Sequence, residues 1–168
     1  MNPISLRPAV RGLVIDTDER ILLVRLVFPH GVWWVLPGGG IADGETDIDA
    51  LHRELAEEIG LDLPQVGALV WNRTHVFDFV DSETGMQWQG QRETVYLVRT
   101  EPFVPSPLMS AAELAAENLT EIRWWTMSEL HQHTGPDFLS PTDLATYVEF
   151  VLRQGIPDTP FEISNVGH

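Results

Sequence analysis

The hydrophobic positions of the 168-residue chain change period along its length, and each change predicts an element. Ala9 to Asp16 and Ile21 to Phe28 are dense in Val, Ile and Leu, and the polar interval Asp16-Thr17-Asp18-Glu19 between them is a turn signal. They read as a hairpin, with Trp33 to Leu36 as a short third strand. Beyond the glycine run Gly38-Gly39-Gly40 the period becomes helical. Apolar Ile48, Leu51, Leu55 and Ile59 recur one helical turn apart, Thr46 stands at the cap position with Asp49 three residues on, and Gly60 stops the pattern. A helix over Asp47 to Ile59 follows.

Val66 to Val80 and Gln87 to Val98 are rich in aromatic and β-branched residues on either side of Asp81-Ser82-Glu83-Thr84-Gly85, which predicts a long second hairpin. Glu121 to Thr126 reads as another strand. Ser140-Pro141, a cap followed by proline at a first helical position, opens a final helix through Leu144, Val148, Val151 and Leu152 to Gly155. The intervals Thr100 to Ser110 and His131 to Pro141 read as loops within one domain spanning 1–168, without internal repeats. Strands interleaved with two good helices place the fold in the α/β or α+β class.

Composition narrows the chemistry. There are 25 acidic against 10 basic residues, a net charge of −15, and all the basic residues are arginine. The absence of lysine and cysteine excludes Schiff-base chemistry, thiol nucleophiles, disulfides, thiolate metal sites and the phosphate loop that ends in Lys-Ser or Lys-Thr. So acidic a surface repels nucleic-acid backbones and anionic membranes, and a phosphate ligand needs a cation as adaptor. No leader pattern and no run of about 20 apolar residues is present, so the expected location is the cytoplasm.

On a wheel turning about 100° per residue, with Glu54 at zero, Glu57 falls near −60° and Glu58 near +40°, beside an apolar stripe centred near +105°. Three carboxylates so spaced repel by about 3 kcal/mol per pair at an effective dielectric of about 20, so a cation is expected among them. Upstream, Leu36-Pro37-Gly38-Gly39-Gly40 offers bare backbone that a ligand can approach closely, and Glu45 precedes the helix.

Residues 39–61 as a whole spell Gly39-x5-Glu45-x7-Arg53-Glu54-Leu55-x-Glu57-Glu58-x-Gly60-Leu61, which resembles the signature box of the Nudix hydrolases at every defined position. The flanks are similar too: Ala9 to Val27 resembles the family's opening hairpin, and Arg123 to Leu130 a late strand-to-helix segment. Asp143 to His168 is much less diagnostic. The resemblance implies an α/β/α sandwich around a mixed β-sheet and hydrolysis of a diphosphate linkage with magnesium or manganese. Divalent ions held by hard carboxylate oxygens neutralise the phosphates and acidify water.

Carried over by position, the resemblance makes Glu54, Glu57 and Glu58 the principal metal-binding carboxylates, with the carbonyl of Gly38 or Gly39 as a further ligand and one carboxylate available to activate water. Gly39 and Gly40 are expected to approach the substrate. Arg53 is expected to orient Glu45 or a catalytic glutamate through its guanidinium fork. Outside the box the candidates for general base are Glu93, Glu113 and Glu117, with Glu117 favoured. Arg25, at a strand end, is the first candidate for a phosphate contact, ahead of Arg7, Arg11 and Arg92. Among Trp33, Trp34, Phe77, Phe79 and Trp88 most are expected in the core, with some stacking on a base. His131-x-His133 lacks further ligands at zinc-like spacing, and His30 is the histidine expected near the pocket.

The leading expectation is therefore an enzyme acting on a small nucleotide, a nucleoside diphosphate joined to another moiety such as ADP-ribose or a sugar. Removal of oxidised or noncanonical nucleoside triphosphates is the alternative. A non-catalytic nucleotide sensor is expected to show an eroded box, and this one is intact. A glycosidase needs acids flanking a sugar, and these lie too close together. A homodimer, with the tail Gly155 to Pro160 covering a neighbour, is a further expectation.

Overall fold

Alternation along the first three strands decides which side of the sheet each residue serves. The computed structural model describes residues 3–166. In β1 (Arg7–Asp16), β2 (Ile21–Phe28) and β3 (Gly31–Val35) the odd positions Leu13, Ile15, Ile21 and Leu23, with Trp34, enter one core. Val10, Val14, Leu22 and Val24, with Trp33 and Val35, enter a second core on the opposite face.

A helix layer covers each face. Helix α1 (Asp47–Ile59) buries Ala50, Leu51, Leu55 and Ile59 against the second core. Helices α3 (Met127–Gln132) and α4 (Leu144–Gln154) bring Leu130, Leu144, Val148 and Val151 to the first. This is the expected α/β/α sandwich. The sheet is mixed, with strand order β8-β3-β2-β1-β6-β5-β9, where β5 is Leu69–Val80, β6 Gln87–Thr100, β8 Phe138–Ser140 and β9 Phe161–Val166. Two strands lie off this path: β4 (Gly38–Gly40) pairs with β1, and β7 (Leu119–Trp125) with β2.

The first hairpin forms but diverges at once. Strands β1 and β2 pair in register only at Ile15 and Ile21, after which β1 runs parallel to β6 and antiparallel to β4, while β2 pairs with β3 and β7. Splaying these strands opens the sheet beside β4, where the site lies.

Several elements depart from the sequence reading: β8 lies inside the interval read as a loop, β9 was not expected, and three others differ in kind or bounds. The glycine run, expected as a loop, is strand β4, because residues without side chains can press against β1. Helix α2 (Ala111–Ala116) was not expected: it buries no residue, so it leaves no apolar period, and Ser110 and Glu113 hold it through a capping box. The last helix starts at Leu144, with Asp143 at the N-cap position but no side-chain cap hydrogen bond, rather than at Ser140-Pro141, because Ser140 is drawn into β8 opposite Val35. The tail Gly155 to Pro160 leads into β9, which pairs in parallel with β5 of the same chain. No described helix is long and apolar enough to cross a membrane.

Leu55, fully buried between α1 and the sheet beside Gly12, tests this packing. Leu55→Ala is expected to cost about 2–5 kcal/mol, read as a lower urea midpoint at unchanged slope.

Candidate active site

Helix α1 carries its acids on the edge of its buried stripe. Glu54 and Glu58 are 3% and 5% exposed, whereas the Glu57 side chain is 32% exposed. One carboxylate oxygen each from Glu54, Glu58 and Glu117 lie within 4.8 Å of one another. Glu117, the residue that ends α2, arrives from a distant part of the chain. Glu57 stands a step outside this trio, accepting from Arg53 Nη1 at 3.4 Å.

Strand β4 forms the other wall, and its glycines are sterically required. A Cβ on Gly39 would lie 2.6 Å from Glu54 Oε1. At Gly38, φ is +149° and a Cβ would lie 2.1 Å from the Val10 carbonyl oxygen. In return the Gly38 N–H donates to Glu58 Oε2 at 3.2 Å.

Arg53 holds the arrangement together as its position in the box suggested. Nε and Nη2 grip both oxygens of Glu45 at 2.8 Å, Nη1 donates to Glu54 Oε1 at 2.9 Å, and Nη2 donates to the Gly40 carbonyl at 3.0 Å. The fork thus ties helix, glycine strand and the loop before the helix into one unit. Its hydrogen bonds to Glu45 outweigh burial and raise the guanidinium above its ordinary value, and the same bond holds Glu45 below the usual carboxylate range.

Burial raises the trio the other way. It pushes Glu58 well above its ordinary value, helped by the charge of Glu54, and it raises Glu54 despite the pull of Arg53. Glu117 is pushed up to about 7 by burial and by the charge of Glu54. Glu54 Oε2 is buried with no hydrogen-bond partner. Close hard oxygens, mutual repulsion and an orphaned acceptor are what a divalent cation satisfies, so the residues fit the metal that the signature implies.

The trio opens into a cavity of about 410 Å³. Gly38, Gly39 and Gly40 line it, as do Arg7, Arg11 and Arg73 on the sheet. Its apolar walls come from two sides of β1: Phe28, His30 and Trp33 from β2, β3 and the turn between them, and Phe77 and Phe79 from β5. His30 therefore lies at the pocket. Trp34 is instead a core residue edge-on to Trp125, and Trp88 is not part of the cavity lining.

Arg25 is not brought to this cavity. Its Nε donates to Asp137 Oδ2 at 2.9 Å, which turns it toward the far edge of β2. The arginines that do line the cavity are those ranked below it, Arg7 and Arg11, together with Arg73, which sequence reasoning missed. Arg73 follows buried Trp71 at the strand period, so an inward arginine was legible, but its partner Glu93 is set by the β5/β6 register. Arg92 pairs with Glu162 outside the site.

The other two base candidates are engaged elsewhere. Burial pushes Glu93 upward, but Arg11 at 2.6 Å and Arg73 at 3.7 Å more than compensate and hold it below its ordinary value. Glu113 is exposed in the capping box of α2. His131 pairs with Glu149, and His133 contacts the Asp137 carbonyl, so the two histidines serve separate partners.

Comparison with known proteins agrees with this geometry. The family model of the NUDIX domain matches residues 5–143. An RNA pyrophosphohydrolase of Novosphingobium aromaticivorans is 30% identical over 151 residues, 86% of this chain and 89% of that protein. Other relatives of the same name match over 51% to 63% of their length. The fold is shared with the NUDIX domain of Shewanella oneidensis NrtR, solved with ADP ribose (TM-score 0.62, 16% identity, 88% of this chain and 89% of that one). It is shared also with a MutT protein of Methanosarcina mazei (TM-score 0.60, 17% identity, 94% and 100%). The chain belongs to the Nudix hydrolase family, enzymes that act on pyrophosphate bonds and generally use divalent metal ions.

A carboxyl raised on folding binds its proton more tightly in the native state, so it stabilises below its unfolded value near 4.5 and loses that contribution as pH rises through its folded value. For Glu117 the loss falls between about pH 5 and 8. In chelator, stability is expected to drop by about 1 kcal/mol from pH 6 to pH 8, or 2–4 °C in melting temperature after solvent screening. Glu117→Gln is expected to flatten that slope, and magnesium at pH 8 to restore the wild-type loss.

Proposed function

We propose that the protein hydrolyses the diphosphate linkage of a nucleoside diphosphate joined to a second moiety, of the ADP-ribose or nucleotide-sugar kind. The observation that carries this reading is the pair of aromatic walls, from strands on either side of β1, in the cavity that the acidic trio also lines. A linkage centred at the carboxylates then has a ring-bearing surface at each end, Phe28 and Trp33 for one moiety and Phe77 and Phe79 for the other.

In this reading Glu54, Glu58 and Glu117 hold magnesium or manganese, with Glu57 and the Gly38 carbonyl completing the set. The ion supplies charge neutralisation for the phosphates and acidifies water. Arg53 keeps Glu45, Glu54 and Gly40 in fixed relation, and Gly39 and Gly40 let the phosphates approach backbone. Arg7 and Arg11 face the phosphates from β1. Glu117, which reaches the trio from outside the signature helix, is also the carboxylate assigned to accept a proton from attacking water, through an oxygen the ion does not engage.

A second reading, removal of pyrophosphate from RNA, draws on the relatives so named. RNA offers a phosphoric anhydride only at a terminal polyphosphate, and a net charge of −15 opposes docking of the strand behind it.

The test is a magnesium-dependent panel of ADP-ribose, UDP-glucose, nucleoside triphosphates and a 5′-triphosphate oligoribonucleotide in oxygen-18 water, with products identified by mass spectrometry. Two monophosphates from ADP-ribose or UDP-glucose at the highest kcat/KM is the expected result. Pyrophosphate release from triphosphates as the dominant activity overturns it. Glu54→Gln and Glu58→Gln are each expected to lower kcat/KM by about 10²- to 10³-fold with an unchanged fold by circular dichroism. Arg53→Lys, which keeps charge but not the fork, is expected to lower it about tenfold or more.

A further inference from the structure

Strand β8 adds three residues in parallel to the edge of β3, and so short a parallel ladder depends on what is fastened to its ends. At its entrance Asp137 Oδ2 accepts from Arg25 Nε at 2.9 Å and from Trp34 Nε1 at 3.1 Å, and the Asp137 carbonyl oxygen lies 2.8 Å from His133 Nε2. At its exit Ser140 Oγ accepts from Arg73 Nη1 at 2.8 Å. The first of these clamps sits where the sheet is irregular, because the pairing of β2 with β7 shifts register between Arg25 and Leu26.

The clamped strand carries an aromatic contact. Phe138 pairs with Trp33, and the two rings stack at 5.6 Å and 27°. Phe138 is not part of the cavity lining, but Trp33 is, with the rings of Phe28 and His30 at 5.9 and 5.1 Å from it. A Cβ on Gly31 would lie 2.6 Å from Trp33 Cη2, so glycine lets the indole fold back across the hairpin. Strands β2 and β3 therefore give the cavity ring and aliphatic surface without a charged side chain. The β5 and β6 side is different, since Arg73, Asp78, Gln91 and Glu93 accompany Phe77 and Phe79 there. A nucleobase is a flat ring that gains from stacking, whereas a sugar carries hydroxyls that need hydrogen-bonding partners.

We propose that the nucleobase of the substrate stacks on the surface formed by Phe28, His30 and Trp33, and that Arg25 and Asp137 are positioning residues for it, acting through β8 and Phe138 without touching substrate. This deepens, and rests on, the reading of the substrate as a nucleoside diphosphate joined to a second moiety. It gives that substrate a direction in the cavity, base toward β2 and β3 and second moiety toward β5 and β6. Arg25, turned away from the cavity, serves it from behind the ring surface.

Calorimetric titration of the magnesium-loaded protein with AMP and, separately, with ribose 5-phosphate tests this without turnover. The wild type is expected to bind AMP more tightly, and equal affinities overturn the base assignment. Trp33→Leu is expected to weaken AMP at least tenfold. Arg25→Gln, and Asp137→Asn, which keeps an oxygen for Trp34, are each expected to weaken it about three- to tenfold, with ribose 5-phosphate and manganese affinities within twofold of wild type. The double variant Arg25→Gln/Asp137→Asn is expected to bind AMP no more weakly than the weaker single one, because the two residues act through one contact. Arg153→Gln, which breaks the Arg153–Glu149 pair on α4, is expected to stay within twofold throughout. On the best substrate of the panel, Arg25→Gln is expected to raise KM with kcat within twofold, a split that general loosening of the fold does not give. AMP affinity within twofold of wild type in Arg25→Gln, an equal loss for both ligands, or a fall in kcat in place of the rise in KM overturns the positioning role. Unaltered AMP affinity in Trp33→Leu overturns the base surface. Failure of the wild type to cleave ADP-ribose or UDP-glucose, with the AMP losses as expected, overturns the substrate reading beneath and leaves the base surface standing.

Discussion

Repulsion among Glu54, Glu58 and Glu117 is the constraint around which the rest of this structure is arranged. Their oxygens sit within 4.8 Å in a partly dry setting, where each charged pair costs about 3 kcal/mol at an effective dielectric of about 20. A fold that needed only stability would separate them or replace them with apolar residues. Here they are pinned from several sides: by the Arg53 fork, by the Gly38 N–H and by close contact with bare Gly39. Rigid elements hold the trio in a geometry that bound protons relieve at low pH and a divalent cation relieves at higher pH, which is preorganisation in the physical sense.

The charge balance of the cavity follows from the same constraint. The arginines on its floor are not free cations waiting for phosphate: Arg7 is paired with Asp81, and Arg11 and Arg73 share Glu93. The site therefore offers an anionic substrate little uncompensated positive charge of its own. In a chain of net charge −15, a divalent ion of the kind the family generally uses would supply what the side chains do not. The paired arginines line the cavity with their guanidinium forks held in fixed directions, and the aromatic walls add surface without charge.

Glycine and arginine divide the positioning work. Strand β4 can approach α1 closely because Gly38 and Gly39 leave no side chain between β1 and the Glu54 carboxylate. Arg53 then spans that narrow gap, reaching the Gly40 carbonyl and Glu45 at once. A side chain at either glycine would push apart the surfaces that Arg53 ties together, so the two features of the signature depend on one another sterically.

Much of this was legible in the chain alone, for a local reason. The period of α1, its Thr46 cap and the spacing of Glu54, Glu57 and Glu58 are short-range, so one helix turn sufficed to put acids on the edge of a buried stripe and Arg53 beside them. The density of Val, Ile and Leu likewise marked Ala9 to Asp16 and Ile21 to Phe28 as strands, whose alternation the structure resolves into Leu13 on one face and Val14 on the other. What the tertiary structure alone decided depends on long-range register. Pairing of β5 with β6 set Arg73 against Glu93, the Arg25–Asp137 contact turned the first phosphate candidate away, and the end of α2 brought Glu117 to the helix face while Glu57 stayed at its rim. Spacing along a chain fixes neighbours within a turn, but which distant carboxylate completes a cage is decided by how strands splay and pair.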